Sequence, residues 1–74
     1  MFELKPQNEL LQLLNAGASF RIKAHLKPQN ERLQLANAVK AGGGQLKLLG
    51  LNLLPQNELL QLANAGKGHI FFED

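Results

Sequence analysis

Apolar residues recur at helical spacing in three separate stretches: Leu10, Leu11, Leu13 and Leu14; Leu33, Leu35, Ala36 and Val39; Leu59, Leu60, Leu62 and Ala63. At 100° per residue each set covers one stripe of a helix, about 160° wide, and predicts an amphipathic helix of about three turns. Between the helices the period changes to two. Phe20-Arg21-Ile22-Lys23-Ala24, Gln45-Leu46-Lys47-Leu48 and His69-Ile70-Phe71-Phe72-Glu73 alternate, as does Phe2-Glu3-Leu4 ahead of the first helix. Alternation predicts strands with one buried face. The element order is then β-α-β-α-β-α-β, and strands joined by right-handed helical crossovers run parallel. The expected fold is a single α/β domain over residues 1–74, a four-stranded parallel sheet in the order 1-2-3-4 with three helices on one face.

The three helical stretches are copies of one text: PQNELLQLLNAG from Pro6, PQNERLQLANAV from Pro28 and PQNELLQLANAG from Pro55, spaced by 22 and 27 residues. Self-similarity at such spacing signals a stacked array of small units. Proline is pre-organised for the first helical position, so Pro6, Pro28 and Pro55 mark the starts, with Glu9, Glu31 and Glu58 favourable near the positive end of each dipole. A start capped by the amides of Asn8, Asn30 and Asn57 fits the same text. The ends carry glycine, at Gly17, Gly42–Gly44 and Gly66, where a left-handed C-terminal residue is expected. The segment Leu48-Leu49-Gly50-Leu51-Asn52-Leu53-Leu54 carries the extra length of the longer spacing, and a bulge is expected near Gly50.

A parallel sheet covered on both faces reads as continuous apolar runs. Here Arg21, Lys23, Lys47, His69 and Glu73 interrupt on one side, so one face is expected to be wet. Phe2, Leu4, Phe20, Ile22, Leu46, Leu48, Ile70 and Phe72 are the inward set. A strand and a helix repeated at this length, rich in Leu with recurring Asn, resembles the leucine-rich-repeat class of α/β solenoids. Leu46-Lys47-Leu48 begins the pattern of that class, while Asn52 sits one residue late and His25 takes the place of the Asn after Phe20-Arg21-Ile22. The phrase PQNELLQLANAGKG also resembles short bacterial helix-strand repeats. What the solenoid resemblance implies is a protein-binding surface on the exposed sheet.

Composition narrows the partner classes. A chain of 74 residues buries only about 60% of its unfolded surface, and with no Cys it has no disulfide, which leaves self-association as a source of further burial. The net charge of +2 is mild, and a nucleic-acid footprint needs clustered cations with interleaved aromatics, which Arg21 and Lys23 lack. No apolar run approaches the roughly 18 residues of a membrane span, and Glu3 stands where a secretory leader would be basic. The expectation is a cytoplasmic protein with no membrane association and nucleic acid disfavoured.

Candidate chemistry is thin. His25 and His69 belong to strands separated by a third, with no Cys or Asp beside them to complete a metal site. Ser19 is the lone Ser and lacks an adjacent base and orienting acid. Glu9, Glu31 and Glu58 occupy one equivalent helix-start position, which suits dipole partners better than an acid and a base. The triple glycine Gly42–Gly44 follows a helix, whereas phosphate-cradling loops precede one. Asn15, Asn37 and Asn64 recur at one place in the repeat and fit helix-end capping or a ladder of side-chain amides bonding neighbouring turns. Gln12, Gln34 and Gln61 fall opposite the apolar stripe and are expected to be solvated. No enzyme activity and no cofactor are expected.

What remains is the wet sheet face. Arg21, Lys23, Lys47 and His69, with Leu49 and Phe71 as apolar anchors, form the expected partner-binding set. The expected role is a non-catalytic protein-interaction or self-assembly module, binding an acidic protein partner or a second copy as a homo-oligomer, homodimers included. The alternative is an anionic ligand or nucleic acid on the same basic face.

Overall fold

A computed structural model describes residues 5–50 and 54–73. Helix α1 spans Gln7–Asn15, strand β1 Phe20–Lys23, α2 Gln29–Gly42, β2 Leu46–Leu49, α3 Gln56–Gly66 and β3 Ile70–Glu73, with one turn of 3-10 helix at Ala24–Leu26 after β1. The strands form one parallel sheet in the order β1-β2-β3. Helix α1 packs on α2 and α2 on α3.

Among the described residues the sheet has three strands, and the expected four-stranded order 1-2-3-4 is corrected. The candidate strand at Phe2–Leu4 lies outside the described residues. It rested on three alternating positions, fewer than the four to eight that the alternation rule needs to separate a strand from chance. The working unit is a helix followed by its strand, and three helices bring three strands.

Of the expected inward strand residues Ile22, Leu46 and Leu48 are buried, while Phe2 and Leu4 lie outside the described residues. Leu10, Leu14, Leu35, Leu46, Leu48 and Leu62 are 0% exposed and Ile22 1%, in one cluster with Ala24, Ala36, Ala38 and Val39. Burying a Leu or Ile side chain fully contributes about 1.5–3 kcal/mol, so leucine carries this fold. Phe20 and Ile70 pack against the cluster while partly exposed. Phe72, expected inward, is 44% exposed, because β3 is the last described strand and no described helix covers its outer half.

Each helix begins one residue after its proline. Pro6, Pro28 and Pro55 are the cap residues, in extended conformation, and each proline carbonyl accepts from two following amides, such as Glu9 N at 3.1 Å and Leu10 N at 3.2 Å on Pro6. No side chain caps any of the three, so the alternative start at Asn8, Asn30 and Asn57 does not occur. Each proline, expected at the first helical position, stands one residue before it.

The C-terminal ends differ from one another. Gly43 caps α2 in the left-handed region at φ 84°, as its text predicts. In α3 the left-handed residue is Lys67, at φ 42°, while Gly66 stays helical. Gly66 serves close packing instead: a Cβ there would lie 2.1 Å from Cγ1 of Ile70. Gly50, near which a bulge is expected, follows β2 at φ 74°, and residues 51–53 beyond it lie outside the described residues.

Candidate interaction surface on the open sheet face

Parallel pairing places Arg21 beside Lys47 and Lys47 beside Phe71, and the next row is Lys23, Leu49 and Glu73. Neighbouring strands lie about 4.8 Å apart, so each row is a contiguous strip of side chains. Within β1 and β2 the burial alternates as the text predicts. Arg21, Lys23 and Lys47 are exposed where Ile22, Leu46 and Leu48 are buried. Phe71 is 42% exposed and Leu49 half-buried on the same side. Five of the six expected contact residues thus share one open surface.

The sixth, His69, stands one step before β3 in the row of Ser19 and Gln45. Its Nδ1 lies 2.8 Å from the carbonyl oxygen of Gly44, and the residue is half-buried. That bond ties β3 to the loop entering β2, so His69 frames the surface. Ser19 is similarly engaged, its Oγ accepting from Gln45 N at 2.9 Å. Both bonds cross between neighbouring chain segments and fix the upstream end of the face.

Between these groups the surface is dished. A shallow depression of about 210 Å3 is lined by Ser19, Phe20, Arg21, Gln45 and Lys47. Among the described residues the ion pairs are Lys5 with Glu9, Lys27 with Glu31 and Arg32 with Glu58, none of which involves Arg21 or Lys47. Two cations in register repel, at a cost of roughly 0.2–1 kcal/mol that an incoming carboxylate would remove. Glu73 closes the next row with the opposite sign.

The histidines stay apart. His69 faces Gly44, and His25 sits in the 3-10 turn with its ring over Gly50, where a Cβ would meet Nδ1 at 2.6 Å. Among the described residues no three His, Cys, Asp or Glu side chains gather as metal ligands. No helix among them is long and apolar enough to cross a membrane.

Two polar features escaped the sequence reading. Gln34 and Gln61 are exposed, as expected, and are also acceptors in a ladder between helices. Gln7 Nε2 donates to Glu31 O at 3.1 Å and Gln34 Oε1 at 3.2 Å; Gln29 Nε2 donates to Glu58 O at 3.2 Å and Gln61 Oε1 at 3.1 Å. The signal was present in the text as two glutamines five residues apart in every copy. Arg32 is the second feature: 5% exposed, it reaches Ala24 O, Lys27 O, Gln29 Oε1 and Glu58 Oε1 from a position that is leucine in the other copies. It replaces an apolar contact with a clamp on the 3-10 turn. Asn15 Nδ2 donates to Leu11 O, one turn back in α1, at 3.0 Å.

Comparison of the chain with models of known protein families, with characterised proteins and with solved structures finds no match in any of the three.

Proposed function

We propose that this chain is a non-catalytic protein-interaction module that binds an acidic segment of a protein partner across the open face of its sheet. The observation that carries the reading is the row Arg21, Lys47 and Phe71, two cations with no ion pair among the described residues and an exposed aromatic, in register on three strands. Phe71 and Leu49 supply apolar contact and the cations select for charge, the division of labour that interfaces commonly use. The alternation of helix and strand in stacked copies is akin to the leucine-rich-repeat solenoids, which also present strands to their partners. A cytoplasmic setting suits a chain without cysteine.

The depression between Arg21 and Lys47 favours a second reading, in which the same cations hold a small anion or a nucleic-acid phosphate. One experiment separates the two. Random peptides displayed on phage are selected on the immobilised chain, and a single-stranded oligonucleotide is titrated in parallel. The interaction reading expects selected peptides to combine Asp or Glu with an apolar residue and to lose about tenfold or more in affinity for Arg21→Glu/Lys47→Glu. Peptides without acidic residues, or binding indifferent to that double substitution, would overturn it. Oligonucleotide binding with a steep salt dependence would move the assignment to the second reading.

A further inference from the structure

Among the described residues the helix stack is open at both ends, and the two ends are not alike. On its α2 side, α1 offers Gln7 as donor and Leu11 as a half-buried contact packed against the core. Helix α3 carries the same residues at the same repeat positions, Gln56 and Leu60, on the side where a fourth helix would stand. There Gln56 is exposed and Leu60 is 53% exposed. The other end shows the complementary half. Glu31 O with Gln34, and Glu58 O with Gln61, accept the ladder from the preceding helix; their counterparts in α1 are Glu9 and Gln12, both exposed. Leu13 is only half-buried, although its counterparts Leu35 and Leu62 are 0% exposed.

We infer that a second copy of this chain docks its α1 on the open side of α3, extending the stack head to tail. The contact repeats one made twice inside each chain: Gln56 Nε2 donates to Glu9 O and Gln12 Oε1 of the second copy, and Leu60 and Leu13 become covered. The first seven residues of α3, QNELLQL, are identical to those of α1, so the surface offered at the free end is the one that α1 already mates with α2. An interface between unlike faces does not close on itself unless the rotation per copy happens to complete a ring, so assembly grows with concentration. The surface is separate from the sheet face, and the two assignments stand or fall independently.

The test is molar mass by sedimentation velocity across a wide dilution series. The wild-type chain is expected to exceed the mass of a dimer at high concentration. Leu60→Glu blocks one end and Leu13→Glu the other, so each alone stays monomeric, while an equimolar mixture forms a dimer and stops there. Circular dichroism verifies that both variants are folded. Gln56→Ala, at an exposed site, weakens association about fivefold or more by removing two hydrogen bonds without touching the core. Wild-type chain that remains monomeric throughout, a dimer that ignores all three substitutions, or a mixture that yields no heterodimer overturns the inference.

Discussion

Arg21 and Lys47 stand side by side in register on adjacent parallel strands, both exposed and neither ion-paired among the described residues. Their repulsion is a standing cost to the fold, retained on the surface assigned here to a partner. Arg21→Glu replaces it with an attraction and should raise stability by about 0.5–1 kcal/mol, read as a higher urea midpoint at unchanged slope. The gain should shrink at high salt, where surface charges are screened. A lower midpoint would contradict the electrostatic account of this row.

The glutamine ladder predicts an unequal pair of substitutions. Gln29→Ala removes two donated bonds and also deprives Arg32 Nε of the acceptor it holds at 2.9 Å, so it should cost about 1–2 kcal/mol. Gln7→Ala removes the equivalent donor bonds, but the Oε1 of Gln7 is buried without a partner, and deleting it recovers desolvation. Its cost should be about half as large. Chemical unfolding of the two variants under the same conditions checks the order, and equal losses would count against it.

Gly42 lies where α2 crosses the end of α1. A Cβ at this position would sit 1.8 Å from the carbonyl oxygen of Leu14 and 2.9 Å from its carbon, both backbone atoms that cannot rotate away. Gly42→Ala should therefore force the helix ends apart and destabilise by about 2 kcal/mol or more, despite the better helix propensity of alanine. Thermal melting followed by circular dichroism checks this, and a stabilised variant would refute the close approach.

Lys67 occupies the left-handed region at φ 42° that glycine fills at the end of α2. Lys67→Gly should stabilise by about 0.5–1 kcal/mol through relief of that conformation, a rise of about 4 °C in Tm for a domain of this size. An unchanged or lower Tm would mean that the Lys67 backbone is not strained.

Much of this fold is legible in the text because helix and strand periods alternate cleanly. The leucines at the fourth, seventh and eighth places after Pro6 all lie on the predicted stripe, yet Leu10 and Leu14 are buried where Leu13 is not. The stripe says which side faces inward, and the neighbouring helix decides how deeply each residue is covered. The same distinction hides Leu60 and Phe72, apolar residues at inward-reading positions that no described neighbour covers. The open face was legible to within one residue, since strand parity alone puts Arg21, Lys47 and Phe71 on one side. Parity also puts His69 there, but not the Gly44 carbonyl that engages it, because that contact is made across two loops far apart in sequence. Phe2-Glu3-Leu4, the text behind the expected fourth strand, lies outside the described residues, and the sheet they form has three strands.

The central claim concerns where a partner lands, and amide chemical-shift mapping of the isotope-labelled chain with the strongest peptide from the display selection tests it most directly. The account predicts shifts concentrated in β1, β2, β3 and the residues leading into them, 19–23, 45–49 and 69–73, with α1, α2 and α3 nearly unperturbed. A footprint centred on the helices, with Arg21, Lys47 and Phe71 unmoved, would contradict it.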